Sequence, residues 1–270
     1  MRRIYICFPE GNYKVLTLSY DDGKITDRRL VDILNQNGIK GTFHLNSGYL
    51  GEKEGHSLPY ITKEEAVSLY RGHEIASHTS THPTMTRMPG EENIREILSD
   101  RRILEEISGY PVRGFSYPNG VHGQKLHGLL QNCGIVYGRT TRSTHRFDLP
   151  DDFYAWNPTC HHNDRLMEHL DQFLHTEYDQ RLMLFYVWGH SYEFDRDENW
   201  DLIEEFARKA GGRDDIWYAS NIEIYDYLKC AENLIYFADM QGVYNPGSND
   251  VWLCVDGEIH RIKGGETHLF

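Results

Sequence analysis

The feature that most constrains the fold is a repeated alternation of short β-rich runs and helix-like stretches. Residues 15–20 are rich in β-forming side chains, and the apolar residues of 26–37 are spaced as on one face of a helix. The alternation continues to about residue 229 and includes an amphipathic stretch over 91–108. Strands that alternate with helices pair in parallel, so the pattern predicts an α/β fold, either a barrel or an open sheet.

The helical pattern is absent from the last part of the chain. Residues 251–255 and 259–262 are strand-like and flank an Asp-Gly pair, which is typical of a β-hairpin. We therefore predict two units: a (β/α) domain over 1–234 and a small β-hairpin extension over 235–270.

Composition narrows the range of partners. The chain has 28 basic and 41 acidic side chains, a formal net charge of −13. Phosphate backbones and anionic lipids repel such a chain, so we expect neither nucleic acid nor a membrane surface as a partner. No stretch reaches the roughly 18 apolar residues of a membrane span, and the first residues lack the apolar run of a secretion signal. The sequence therefore predicts a cytoplasmic protein.

Candidate reactive groups follow the ends of three predicted strands. Asp21 and Asp22 follow the first, His78 and His82 follow another, and His190 follows a third. Because the carboxyl ends of parallel strands meet at one rim, we expect these five side chains to converge. Asp and His are ligands of zinc-like ions, and three protein ligands leave a position open for water. The His78–His82 pair alone is weak evidence for a metal site, because among 15 histidines about one H-x-x-x-H pair arises by chance. The prediction of a metal site therefore depends on the expected convergence of the five side chains.

The sequence around these residues resembles the polysaccharide deacetylase family, carbohydrate esterase family 4. Residues 19–23, Ser-Tyr-Asp-Asp-Gly, are similar to its T-[FY]-D-D-G motif, and residues 78–82, His-Thr-Ser-Thr-His, match H-[ST]-x-x-H in full. Residues 115–120 resemble F-R-P-P-Y-G, and residues 188–190 resemble a final L-x-H. The resemblance covers roughly 13–228 and implies an irregular (β/α) barrel, here followed by the small C-terminal β appendage.

The resemblance implies a role for each matched side chain. It makes Asp21 the general base and His190 the general acid. It makes Asp22, His78 and His82 the ligands of one divalent metal ion, with zinc favoured and other divalent transition metals as alternatives.

Four further residues are candidates for contact with the substrate. The resemblance implies that the backbone N–H of Asn119 helps to bind the oxyanion. Tyr117, Trp156 and Trp188 are aromatic residues that either line a sugar-binding groove by ring stacking or belong to the core.

Two departures from the family's motifs concern the acid and the base. Ser116 stands where the family has the arginine that orients the base. Residues 152–156 only partly match D-x-x-D-W, so the acidic partner of His190 is not identified. The run Cys-His-His at 160–162 resembles a metal site, but without a second spaced ligand pair we expect loop or groove residues there.

The predicted activity is a metal-dependent hydrolase that removes an N-acetyl group from an amino sugar in a poly- or oligosaccharide. Metal-bound water attacks the amide, Asp21 takes a proton and His190 protonates the leaving amine. Two alternatives remain open: a hydrolase of a small non-sugar amide, and a catalytically impaired carbohydrate-binding protein. Two other classes of metalloenzyme fit the sequence less well. An Fe(II) oxygenase binds its ion through H-x-[DE]…H, whereas this chain has the order D…H-x-x-x-H, and a zincin protease needs a Glu that residues 78–82 lack.

Overall fold

The computed structural model describes residues 2–52, 58–177 and 180–270. In chain order, the strands are β1 (Ile4–Cys7), β2 (Lys14–Asp22), β3 (Gly41–Leu45), β4 (Glu74–Ser77), β5 (Gly114–Ser116), β6 (Tyr137–Arg139), β7 (Cys160–His161), β8 (Met183–Gly189), β9 (Ile216–Tyr218), β10 (Ile235–Tyr236), β11 (Gly242–Tyr244), β12 (Val251–Val255), β13 (Glu258–Ile262) and β14 (Thr267–Leu269). The helices are α1 (Asp27–Gln36), α2 (Lys63–Leu69), α3 (Gly90–Ser108), α4 (Gln124–Asn132), α5 (Leu166–His175), α6 (Tyr192–Arg196), α7 (Trp200–Ala210) and α8 (Asn221–Glu232).

The main sheet is parallel and curls into an irregular barrel. Its order is β6-β5-β4-β3-β2-β8-β7, and β9 pairs with β2. A parallel bridge between Arg139 and Trp156 joins β6 to the segment that leads into β7, so the two edges of the sheet are connected. The carboxyl ends of these strands therefore face one rim, as the alternation of strands and helices predicts.

The burial pattern explains why these segments form strands and helices. Every residue of β8 is buried, as expected for a parallel strand covered on both faces. Helix α7 buries Trp200, Ile203 and Phe206, spaced three residues apart, against the sheet, while its other face carries charged residues. None of the helices in the described ranges is long and apolar enough to span a membrane.

The C-terminal part forms two small antiparallel sheets, β1-β12-β13 and β10-β11-β14. The hairpin predicted over 251–262 is present as β12 and β13. Strand β1 pairs with β12, from Ile4 with Val255 to Cys7 with Trp252, so the first strand belongs to the sheet of the extension and not to the barrel sheet. Apolar side chains of β12 share a core cluster with β8, which docks the extension on the barrel. A division at residue 234 stays a prediction.

Candidate metal centre and acid–base site

The three predicted metal ligands meet at the rim. Asp22 ends β2, His78 directly follows β4, and His82 lies in the same loop. The Oδ1 atom of Asp22 lies 3.8 Å from Nε2 of His78 and 3.9 Å from Nε2 of His82. One donor atom from each of the three lies within 4.8 Å of the others. We call these residues the ligand trio.

The hydrogen bonds of His78 fit a metal ligand. Its Nδ1 lies 2.9 Å from the carbonyl oxygen of Ser116 and 2.6 Å from Oγ of the same residue. Nδ1–H therefore donates to Ser116, and Nε2 keeps its lone pair facing Asp22. Burial lowers the pKa of His78 to about 4, so the ring is neutral at neutral pH. Metal-binding histidines are commonly held in this way through their second nitrogen. The carboxylate and two imidazoles therefore fit a zinc-like ion.

The loops that carry the trio are held in strained backbone conformations. Asp22, Thr79 and His82 have φ values of 81°, 65° and 55°. Each such residue costs about 1–3 kcal/mol and persists only where the surroundings enforce it. Thr79 Oγ1 accepts a hydrogen bond from the backbone N–H of His82 at 3.1 Å. The Asn46 amide donates to the carbonyl oxygens of His78 and Thr79 at 2.7 and 2.9 Å. These contacts fix the positions of both histidines.

Asp21, beside the trio, has a separate set of partners. Its carboxylate forms an ion pair with Arg139, and both side chains are buried. Oγ of Ser116 lies 3.1 Å from Oδ1 of Asp21, and Nδ1 of His44 lies 3.4 Å from the same oxygen. Burial alone would raise the pKa of Asp21, but Arg139, followed by His78 and His44, lowers it well below its usual range. Asp21 is therefore ionised and can accept a proton.

Arg139 supplies the cation that the third motif lacks, and sequence reasoning missed it. It ends β6, in register with Ser116 at the end of β5. Its guanidinium lies 4.6 Å from the centroid of the Trp188 ring, which covers it. A short side chain at 116 and a long one at 139 bring the arginine to the base from the neighbouring strand. The sequence offered one signal for this role: Arg139 is a charged residue in a strand that the sequence pattern predicts to be buried.

His190 follows β8, and Glu193 in α6 turns back onto it. Glu193 Oε2 accepts a hydrogen bond from the backbone N–H of His190 at 3.2 Å and lies 3.3 Å from its Nδ1. Burial alone would lower the pKa of His190, but Glu193, with Asp21 and Asp22, raises it. The acidic partner not identified in the sequence is therefore Glu193, three residues after the histidine. His190 in turn contributes to lowering the pKa of Asp21.

Two of the four predicted substrate-contact residues lie at the rim. Asn119 is exposed, with φ 59°, in the loop after β5, and its amide donates to Thr84 Oγ1 at 3.1 Å. Asparagine is one of the few residues that adopt this conformation readily. Trp188 is 9% exposed and lies between Arg139 and His190, with its ring centroid 5.7 Å from that of the histidine.

The sugar-stacking role predicted for Trp156 and Tyr117 does not fit their burial. Each is 1% exposed, so neither ring has a face open to a ligand. Trp156 packs against Tyr137 and Tyr186, and the Tyr117 hydroxyl donates to the carbonyl of Tyr154 at 2.7 Å. Both are core residues: the bridge to Arg139 draws Trp156 inside the sheet, and the ring of Tyr117 packs against Phe115.

Comparison with known proteins identifies relatives of the barrel. The family model described as polysaccharide deacetylase matches residues 9–138. Peptidoglycan-N-acetylglucosamine deacetylase of Bacillus cereus is 31% identical over 129 residues, which cover 46% of this chain and 44% of that protein. Chitin deacetylase of Colletotrichum lindemuthianum is 29% identical over 105 residues, 38% of this chain and 41% of that protein. The chain thus spans less than half the length of these curated relatives.

A solved structure extends the likeness to most of the chain. A candidate polysaccharide deacetylase from Mycobacterium smegmatis superposes with a TM-score of 0.60 at 17% identity, covering 84% of this chain and 94% of that one. At this identity the likeness shows the fold, which is the irregular (β/α) barrel predicted from the motifs. The family model described as polysaccharide deacetylase thus matches 130 of the 270 residues, and the structural neighbours of the chain include proteins of carbohydrate esterase family 4.

Proposed function

We propose that this chain is a metal-dependent deacetylase that removes an N-acetyl group from an amino sugar of a poly- or oligosaccharide. One observation carries the proposal: a carboxylate kept ionised by Arg139 and an imidazole paired with Glu193 lie at the same rim as the ligand trio. A carbohydrate-binding protein without catalysis has no need of this pairing. The relatives named above, deacetylases of peptidoglycan and chitin, support the class of substrate.

Asp22, His78 and His82 would hold the ion. A divalent ion bound there lowers the pKa of water and polarises the carbonyl oxygen of the amide. Asp21 would accept a proton on its carboxylate, whose Oδ2 pairs with Arg139 and lies 3.9 Å from Nε2 of His78. Because Arg139 pairs with the same carboxylate, the base stays ionised and fixed until that transfer.

His190 donates a proton to the leaving amine from Nε2, since its Nδ1 is held by Glu193. The raised pKa of His190 keeps this proton available near neutral pH. The backbone N–H of Asn119, an exposed residue, is the proposed oxyanion donor, a type of contact often worth roughly 3–4 kcal/mol in the transition state.

The test is acetate release, measured over chitooligosaccharides, peptidoglycan fragments and small N-acetyl amides, with metal content determined on the same samples. We expect Asp21→Asn to keep its metal and to lose at least roughly 10²-fold in rate, and Asp22→Ala to lose the ion of the ligand trio together with the activity. Asp171→Asn is the matched control, because that carboxylate is 76% exposed on α5. Full activity of Asp21→Asn would refute the assignment of the base. Acetate release from the small amides alone would instead support the alternative substrate, a small non-sugar amide.

A further inference from the structure

A second group of donor atoms surrounds one oxygen of Glu193. Oε2 of Glu193 lies 2.9 Å from Nε2 of His161, 3.3 Å from Nδ1 of His190 and 3.4 Å from Nε2 of His162. One donor atom each from His161, His190 and Glu193 lies within 4.8 Å of the others. We call His161, His162, His190 and Glu193 the second cluster. It shares His190 and the partner of that ring, Glu193, with the residues of the proposed reaction.

Two of the three distances around Oε2 of Glu193 match the spacing of ligands on one small ion. Bond lengths of ~2.0–2.2 Å place tetrahedral ligands about 3.3–3.6 Å apart. The distances from Glu193 to His190 and His162 are 3.3 and 3.4 Å, and the corresponding distances in the ligand trio are 3.8 and 3.9 Å. The third distance, 2.9 Å from Oε2 of Glu193 to Nε2 of His161, is that of a hydrogen bond, which a bound ion would replace.

His162 gives an independent indication of a ligand. Its side chain is fully buried, and in the described ranges neither ring nitrogen forms a hydrogen bond. The ring stacks between Tyr20 and Phe194, at centroid distances of 5.7 and 4.2 Å, which fixes Nε2 toward Glu193. A buried polar atom without a hydrogen bond costs about 1–3 kcal/mol, and a bound ion would remove that cost.

The charges nearby permit a cation. Arg196 contacts Glu193 at Oε1, with 3.4 Å between the atoms, and so leaves Oε2 to the imidazoles. Its guanidinium is more than half exposed, which screens its repulsion. Imidazoles with one carboxylate form the donor set of zinc and other first-row transition metals.

We propose that the second cluster is a separate binding site for a zinc-like ion, with His161, His190 and Glu193 as ligands and the buried ring of His162 beside Glu193. An ion there takes Nδ1 of His190 and the carboxylate that holds this ring. This consequence rests on the proposed function: excess metal would inhibit the deacetylase by occupying its acid. The existence of the site does not depend on turnover.

Metal stoichiometry tests the site directly. Metal-free protein is equilibrated with Zn²⁺, dialysed and analysed for ions per chain. We expect two ions in the wild type, one in His161→Ala, one in Asp22→Ala and none in the double variant. His175→Ala, at an exposed histidine of α5, should keep two. One ion in the wild type, unchanged by His161→Ala, would overturn the proposal.

Cobalt separates the two sites by spectroscopy. Asp22→Ala loaded with Co²⁺ should keep a visible absorption band that disappears when His161→Ala is added, and no band in Asp22→Ala would count against the site. With active protein, rising Zn²⁺ should inhibit the wild type at concentrations at least ten times lower than those needed for His161→Ala. Equal inhibition would refute the inhibitory role. An inactive protein that binds two ions would refute the proposed function and leave the second site intact.

Discussion

Replacing Arg139 with methionine removes the cation that faces Asp21 while keeping an unbranched side chain beside Trp188. Arg139 is fully buried and Asp21 is 3% exposed, so the remaining carboxylate has no route to solvent. Breaking a buried ion pair on one side costs about 3–5 kcal/mol. We therefore expect the free energy of unfolding at pH 7, measured by urea denaturation of the metal-free protein, to fall by an amount in this range.

The pH dependence of that loss has a definite sign. In the wild type the pKa of Asp21 is lowered on folding, so its contribution to stability is present above the unfolded pKa of about 4 and is lost as pH falls below it. In Arg139→Met, burial without the arginine raises this pKa, and the carboxyl is protonated as pH falls. The variant should therefore lose less stability at pH 5 than at pH 7.

A double-mutant cycle with Asp21→Asn completes the test. Since asparagine carries no charge, Arg139→Met should cost at least about 2 kcal/mol less in the Asp21→Asn background. Equal costs in the two backgrounds, or a loss below about 1 kcal/mol in the wild-type background, would show that Arg139 does not hold the Asp21 carboxylate.

Three further predictions concern the rest of the site. Glu193→Gln removes the charge that raises the pKa of His190, so the alkaline limb of the pH–rate profile should move to lower pH; an unmoved limb would contradict this pairing. Asn46→Ala removes the hydrogen bonds to the carbonyl oxygens of His78 and Thr79, so a metal titration should show affinity weakened roughly 10–100-fold. Asn233→Ala, at an exposed asparagine, is the control and should leave the metal affinity unchanged. Trp156→Ala should lower the free energy of unfolding, measured by thermal denaturation, by about 3–5 kcal/mol and leave the KM of the folded protein unchanged. A raised KM with unchanged stability would instead support a role for this ring in sugar binding.

The sequence alone determined the features that depend on local spacing. The spacing of apolar residues predicted alternating strands and helices, and so an α/β fold, because a strand needs only a few apolar residues in a row and a helix only one apolar face. The choice of a barrel over an open sheet came from the resemblance to the family. Adjacent Asp21 and Asp22 and the His78–His82 spacing predicted the trio, because parallel strands bring their carboxyl ends to one rim. The motifs also identified the family.

The tertiary structure decided which side chains serve these residues. Arg139 reaches Asp21 only through the register of β5 and β6, and β1 pairs with β12 across nearly the whole chain. Glu193 is close to His190 in sequence, but its contact with the ring depends on how α6 turns back from β8. The burial of Trp156 depends on the bridge that connects the edges of the sheet. These contacts join segments that no local pattern relates, so they are fixed only when the chain has folded.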